Sequence, residues 1–308
     1  MSCYSPVNAW YSKVINPETG KRLLQYKPQG SLTGYRFKVG CGHCPGCLLE
    51  RSRQWGIRAM HENRMHKQSA FLTLTYSNDT LPRDGSLVKR HLQLFHKKLH
   101  NRLLRSRGVG IRYYSCGEYG SLNQRPHYHV LSFGYDPPDK LLYSRNHRDE
   151  PIYSSRELDA MWGYGDTKVG EVTFESASYV ARYCLKKVSA AVREAGHYVV
   201  YDADGVIHER LPEFQLFSTN PGIGSSYFDR YKDEIMAHDT IIMGNREVPS
   251  VRYYDKKIEA IDPLRYKQIK RNRVRKALLV SKIEAGPDRM RVKELLLLKC
   301  MKLKERNL

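Results

Sequence analysis

Three groups of residues in this chain combine types and spacings that can do chemistry. The first is His127-Tyr128-His129, which follows Pro126 in a segment of strand-forming composition. Side chains alternate across a strand, so both imidazoles project from one face, placed to hold a single ion. Glu118 is expected at the end of the preceding strand, where it reaches its antiparallel neighbour and completes a two-histidine, one-carboxylate set. Such a set leaves positions open on a metal. Carboxylate and phosphate oxygens suit Mg²⁺ or Mn²⁺, and imidazole tilts the choice toward Mn²⁺. Asp79 and Glu175 are alternative ligands, and an ordinary strand pair with a turn carboxylate is the plain alternative in a chain of 12 histidines.

The second group is Tyr179-Val-Ala-Arg182-Tyr183-Cys-Leu-Lys186, a helical segment expected from about Ser178 to Val192 behind a serine cap. Tyr179 and Tyr183 are one turn apart on one face, while Val180, Cys184, Val188 and Ala191 form a separate apolar stripe. Each tyrosine is followed three residues later by a cation, Arg182 or Lys186. A phenol with a pKa of about 10 is a poor nucleophile at neutral pH. A nearby cation or metal favours the phenolate and stabilises the charge on a phosphate under attack. In a chain with 22 tyrosines, a merely amphipathic helix is the competing account.

The third group is Cys41-Gly-His-Cys44-Pro-Gly-Cys47. Three thiolates leave a tetrahedral site one ligand short. Cys3 is the natural fourth, with His43 the alternative, and four soft ligands favour structural Zn²⁺. An iron–sulfur cluster and unligated thiols are the other accounts. Cys116, Cys184 and Cys300 are expected to be packed or idle. Seven cysteines in this arrangement suit metal binding in a reducing compartment.

Periodicity supplies the elements that must carry these groups. FLTLTY (71–76), Ile111 to Cys116, His127 to Phe133 and Lys168 to Phe174 read as strands, and HYVVYDADGVIHERL as a hairpin around Asp204-Gly205. Leu48 to about Gln68 reads as a helix exposing Arg51, Arg53 and Arg58. Val88, Leu92, Phe95, Leu99 and Leu103 mark a second helix, and Ser155 to Trp162 a third. Several connections are too short for parallel crossovers, so the class is α+β with a mostly antiparallel sheet flanked by helices. The expected organisation is an N-terminal region with the cysteine module over 1–68, a catalytic-looking core over 69–235 and a basic helical arm over 250–308.

Charge points to the partner. The formal net charge is +20, and the stretch from Arg252 to the C-terminus holds 18 Lys+Arg against 7 Asp+Glu. Such a field draws polyanions, nucleic acid above all. Candidate contacts are Arg51, Arg53, Arg125, Lys187, Arg271, Arg273 and Arg275. The apolar faces of the arm are narrow and mixed with charge, which disfavours a membrane partner. No apolar run is long enough to span a bilayer and the N-terminus lacks a signal-peptide pattern, so the expected location is cytoplasmic. The PGIG turn at Pro221 to Gly224 is either a phosphate-binding helix start or a simple helix entry.

FLTLTY, GEYGSLNQRPHYH and YVARYCLKK stand in the order and spacing of the rolling-circle replication initiators of the HUH endonuclease superfamily. Within it the chain resembles the replication initiation proteins of microviruses, small single-stranded DNA phages, of the gokushovirus type. The early cysteine before CGxCxxC and the segment PEFQLFSTNPGIGSSYF are also similar, and the likeness covers about residues 1 to 232. The resemblance implies a five-stranded antiparallel palm, a divalent ion on His127 and His129, and a tyrosine helix over it. It further implies site-specific nicking of single-stranded and replicative-form phage DNA in the host bacterial cytoplasm. One tyrosine is left joined to a 5′-phosphate and a 3′-OH is freed for the host polymerase, with Tyr179 and Tyr183 acting alternately. The family often has lysine after each tyrosine. Here the first is Arg182, which can stabilise charge but cannot give up its proton; Lys186 can do either, with Lys187 in reserve.

Two other readings compete. A single-strand transposase or plasmid relaxase would share the palm and the chemistry, although two tyrosines on one helix favour replication. A non-catalytic zinc-bearing DNA- or RNA-binding regulator would need only the basic arm and the cysteines, and leaves His-Tyr-His and the Tyr-x-x-basic repeat unexplained. The chain has no G-x-x-x-x-G-K-[ST], so unwinding is expected from a host helicase.

Overall fold

A computed structural model describes residues 3–18, 20–120, 123–146, 148–185, 196–201, 204–279 and 286–306, with backbone alone for 183–185 and 301–306. The chain divides into two compact units, Met1–Arg51 with Arg271–Leu308, and Ser52–Lys270.

The larger unit is organised by a sheet of seven strands. β4 (Ser69–Thr75), β5 (Arg112–Tyr119), β6 (Pro126–Phe133), β7 (Leu141–Arg145), β8 (Pro151–Ser154), β9 (Thr167–Gly170) and β12 (Phe214–Phe217) lie in the order β12-β5-β6-β4-β9-β8-β7. Every pairing between them is antiparallel. The expected five strands are therefore extended to seven. The additional pair is the β7–β8 hairpin, which joins the β9 edge through the single register pair Tyr153↔Val169. The hairpin expected around Asp204-Gly205 forms a separate two-stranded sheet from β10 (Val199–Tyr201) and β11 (Ile207–Glu209).

Alternation on β4 and continuous burial on β6 give the sheet two covered faces. On one, Leu72, Leu74, Tyr128, Val130 and Val169 pack with Leu92, Phe95 and Leu99 of α2 (Lys89–Arg107) and Leu158 and Trp162 of α3 (Arg156–Trp162). On the other, Tyr114, Cys116, Leu131 and Phe133 pack with Ala59 of α1 (Pro45–Asn63) and with Ala177, Val180 and Ala181 of α4 (Phe174–Leu185). This second face carries Glu118, His127 and His129, because each is an even number of residues from its packed neighbours on the same strand.

Two boundaries differ from the expectation. β9 stops at Gly170, and Phe174 already belongs to α4. The reason lies in Thr173 and Ser176, whose hydroxyls each accept a hydrogen bond from the other residue's backbone amide, at 2.9 and 3.1 Å. This reciprocal cap starts the helix a turn before Ser178. The expected continuation from 186 to Val192 lies outside the described residues.

α1 holds α4 in place at close range. A Cβ on Gly56 would stand 2.6 Å from Ser178 Oγ and 3.0 Å from the Phe174 ring, so only glycine admits this crossing. Ser52 Oγ donates to the Ser178 carbonyl at 2.9 Å across the same contact. Arg58, expected to be exposed, is instead folded inward: its guanidinium lies 4.1 Å from the Trp55 ring centre and 4.0 Å from that of Tyr253, and Nε donates to the Ile223 carbonyl at 3.0 Å. Stacking on two aromatic faces offsets its loss of water.

α5 (Ser225–His238) and α6 (Arg252–Ile261) close the unit with the hairpin β13 (Thr240–Met243) and β14 (Arg246–Pro249), around Ile57, Phe228, Tyr254 and Ile258. The amide of Gly224 at the head of α5 donates to Glu62 Oε2 at 2.6 Å. The PGIG turn is thus a helix entry whose anion position is filled from within the chain. Glu62 is fully buried and also accepts from Arg112 Nε at 2.5 Å, beside His66 at 3.2 Å. Burial favours a neutral carboxyl, but these hydrogen bonds and the arginine charge hold Glu62 below the usual carboxylate range.

In the smaller unit, β1 (Val7–Ile15) pairs antiparallel with β2 (Arg22–Gln25) and β3 (Phe37–Val39) in the order β2-β1-β3. The basic segment forms helices as expected, α7 (Pro263–Leu278) and α8 (Pro287–Arg306).

Candidate metal and tyrosine site

The site is assembled by register. Glu118 on β5 stands directly opposite His127 on β6, and His129 is opposite Cys116 on one side and Thr73 of β4 on the other. Paired residues share a face, so three ligand types converge where β5 meets β6. His127 Nε2 lies 2.8 Å from Glu118 Oε1, and His129 Nε2 lies 3.2 Å from the same oxygen. The three groups offer ligand atoms that all lie within 4.8 Å of one another. Asp79 and Glu175, the alternative ligands, are not part of this group.

Each histidine is turned by a partner on its other nitrogen. His127 Nδ1 is 3.1 Å from the Arg125 carbonyl, an acceptor only, so Nδ1 carries the proton and Nε2 faces the site. His129 Nδ1 is 3.1 Å from Thr73 Oγ1, and its ring stacks on Phe71 at 5.3 Å between centres. Arg125 is itself tied down, donating to Asn78 Oδ1 at 2.9 Å and to the Tyr76 carbonyl at 2.8 Å.

Electrostatics agree with a cation site. Burial alone would raise the Glu118 carboxyl, yet the hydrogen bonds and charge of His127 and His129 bring it down to about 2. Its second oxygen, Oε2, is buried without a hydrogen-bond partner among the described residues. His127 is pushed up, the carboxylate outweighing burial, and His129 is pushed down by burial, which outweighs the carboxylate. A buried carboxylate with one unpartnered oxygen, beside two imidazoles aimed at the other, fits a divalent cation.

The tyrosine helix meets this group. Tyr179 Oη donates to Glu118 Oε1 at 3.2 Å, and its ring stands edge-on to His129 with centres 5.1 Å apart. Arg182 is exposed. The helix is anchored by Ala177, Val180 and Ala181, so the apolar stripe begins earlier than the expected Val180. Tyr183 is on α4, one turn beyond Tyr179, but its side chain lies outside the described residues, as do Lys186, Lys187, Val188 and Ala191.

The cysteine group closes as expected with Cys3 rather than His43. Pairing of Val7 with Val39 brings the two ends of that β1–β3 pair together, and Cys3 Sγ lies 3.7 Å from Cys41 Sγ and 3.9 Å from Cys44 Sγ. All four cysteines offer sulfurs within 4.8 Å of one another. Backbone amides of Tyr4, Cys41 and Cys44 donate to these sulfurs at 3.3 to 3.4 Å, the pattern that supports thiolates. Burial raises Cys47 to about 12, whereas at Cys44 amide hydrogen bonds outweigh burial and lower it to about 7. Four clustered sulfurs fit a soft or borderline metal. Cys116 is packed in the core and Cys300 is exposed; the Cys184 side chain is outside the described residues.

Among the remaining candidate contacts, Arg53 donates to the Pro249 carbonyl at 3.1 Å, while Arg51, Arg271 and Arg275 are exposed. Arg273 is half-buried on α7. No described helix is long and apolar enough to cross a membrane.

Comparison with known proteins places this arrangement. Residues 69–188, which span β4 to the end of α4, match the family of replication-associated proteins of the ORF2 type. The chain is 31% identical over 262 residues to replication-associated protein VP4 of Bdellovibrio phage phiMH2K, covering 82% of this chain and 76% of the relative. It is 30% identical over 277 residues to replication-associated protein ORF2 of Spiroplasma virus 4, covering 84% and 81%. The chain belongs to the microvirus-type replication-associated proteins. A third member, replication-associated protein ORF4 of Chlamydia phage 1, is 32% identical over 176 residues, 54% of this chain and 44% of the relative. No solved structure matches. In this replication-associated protein the family match ends three residues after Leu185, so it takes in the whole metal and tyrosine site.

Proposed function

We propose that the protein initiates rolling-circle replication by nicking and joining single-stranded DNA through a tyrosine–phosphate bond. The observation that carries this reading is the 3.2 Å hydrogen bond from Tyr179 Oη to Glu118 Oε1, the oxygen on which both histidines converge. A nucleophile held against a cation site has no role in a protein that only binds nucleic acid, which disfavours the regulator reading.

Glu118, His127 and His129 would hold Mg²⁺ or Mn²⁺, which supplies positive charge to a non-bridging oxygen of the scissile phosphate. Tyr179 Oη forms a bond to phosphorus as the P–O3′ bond breaks. The phenol proton leaves to solvent and the departing 3′ oxygen takes one up, so a 3′-OH and a 5′-phosphotyrosine result. Arg182, exposed beside Tyr179 on α4, stabilises charge at the phosphate without exchanging protons. Tyr183, one turn on, is the second nucleophile that a joining step requires, with Lys186 as its cation. The four cysteines would hold Zn²⁺ in a structural role. Duplex unwinding and synthesis fall to host helicase and polymerase, and the work is done in the host cytoplasm.

The test is covalent capture. Protein incubated with Mn²⁺ and labelled single-stranded DNA from its own genome should retain label after boiling in detergent. Tyr179→Phe together with Tyr183→Phe should lower adduct formation at least about a thousandfold while DNA still binds. Undiminished adduct in the double variant would remove the tyrosines from the reaction. DNA binding with no adduct under any divalent metal would favour the non-catalytic regulator.

A further inference from the structure

The row of residues that crosses the sheet through His129 continues beyond the metal group. His129 is opposite Thr73 on β4, and Thr73 is opposite Lys168 on β9. Directly opposed residues of antiparallel strands project to the same face. Lys168 therefore shares the face of Glu118, His127 and His129, two strands or about 10 Å from His129.

The Lys168 ammonium is held over an aromatic ring. Its Nζ lies 3.2 Å from the ring centre of Tyr143 on β7. Tyr143 occupies the register break of the β7–β8 hairpin, between the pairs Leu142↔Tyr153 and Ser144↔Ile152, where a bulge re-aims a side chain. It is 62% exposed, and Leu141 and Leu142 beside it are also exposed. Sheet edges in structural strands are normally blunted by charge or twist, and three exposed apolar residues in a row on an edge call for an occupant.

We infer that Lys168 and Tyr143 form a subsite for a nucleotide flanking the one under attack. Lys168 takes its phosphate, and its base stacks on the Tyr143 ring face turned away from Nζ. The inference deepens the nicking reading, on which it rests for the place of the scissile phosphate. Charge complementarity selects a polyanion, and an aromatic face open to solvent selects an unpaired base over a duplex, so the occupant is single-stranded DNA. The cation–π contact fixes the lysine before DNA arrives, which spares its ordering on binding. The contacts are to backbone and ring faces, so they tolerate sequence and extend the grip of the site without narrowing its choice of bases.

The experiment uses the full chain carrying Tyr179→Phe, with Mn²⁺, and labelled oligothymidylate as the probe, so that binding is read without chemistry. Lys168→Gln should weaken binding about tenfold and reduce the slope of log affinity against log salt by about 0.7, one single-strand phosphate contact. Tyr143→Ala should weaken binding by a similar factor, and Tyr143→Phe, which keeps the ring, should bind as the parent does. The double variant should lose less than the product of the two losses, because both side chains serve one nucleotide. Binding within twofold of the parent for either Lys168→Gln or Tyr143→Ala overturns the inference. So does an unchanged salt slope in Lys168→Gln, or a loss in Tyr143→Phe as large as in Tyr143→Ala. Absence of adduct in the unmodified protein would sink the nicking reading and leave this comparison intact.

Discussion

Tyr179 and Glu118 stand 61 positions apart in the chain, yet the tyrosine hydroxyl donates to the carboxylate at 3.2 Å. The oxygen it meets is the one that His127 and His129 share. The position of the hydroxyl is therefore set by the same atom that defines the cation site, and a change to that carboxylate is a change to both.

Glu118→Gln should remove a ligand charge while keeping the shape of the side chain. Mn²⁺ affinity, followed by titration calorimetry, is expected to fall at least about tenfold, and adduct formation should return in part at raised Mn²⁺. A chelator should abolish adduct in the parent protein, with recovery on adding Mn²⁺ back. Equal metal affinity in the variant would take Glu118 out of the site.

Thr73→Val tests whether the partner of a ligand matters. Thr73 Oγ1 is 3.1 Å from His129 Nδ1 and holds the ring so that Nε2 faces Glu118. Valine keeps the volume and removes the oxygen. Metal affinity should drop about 10- to 100-fold, with Thr73→Ser restoring most of it. A valine variant with parental affinity would show that the Phe71 stack alone orients the ring.

The cysteine group should bind one metal ion per chain, measured by elemental analysis. Cys3→Ser should release it, since Cys3 Sγ is within 3.9 Å of both Cys41 and Cys44. His43→Ala should keep it, because His43 is not part of the group. Loss of metal in His43→Ala with retention in Cys3→Ser would reverse the assignment of the fourth ligand.

Acid should weaken the fold through two buried histidines. His61, against Tyr254 and Tyr227, and His96, between Ser115 and the Tyr113 ring, are each lowered by burial from 6.5 to about 3, with Arg64 adding to the shift at His61. The folded value lies below the unfolded one, so their stabilising effect is whole above pH 6.5 and is lost as pH falls toward 3. Each site steepens the fall by up to about 1.4 kcal/mol per pH unit. Urea midpoints between pH 6.5 and 4.5 should decline less in His96→Asn than in the parent. An identical decline would assign the acid sensitivity to other groups.

Much of the site was legible because its parts are local. His127 and His129 declare themselves by alternation, and Glu118 follows from the shortness of the link between their strands. The tyrosine helix was legible in its spacing but not at its start, which a Thr173–Ser176 cap moved forward by a turn. Thr73, Lys168 and Tyr143 gave no signal, because their meaning depends on which strands lie side by side. β7, β8 and β12 are short and uniformly half-exposed or variable, so they lack the period that marks a strand and gain their identity from a neighbour. Arg58 read as a solvent-facing cation, since nothing local indicates that Trp55 and a tyrosine nearly two hundred residues later will sandwich it.

The ligands Glu118, His127 and His129 arise within 12 consecutive residues, whereas Tyr179 is made 50 residues after the last of them. During synthesis the cation-holding hairpin thus leaves the ribosome well before any attacking group exists to use it. A chain interrupted between these points can hold an ion and a strand of DNA but has nothing with which to cut. Only when α4 docks against β5 does the molecule become dangerous to a genome, so breakage is reserved for copies whose catalytic half has been made and folded.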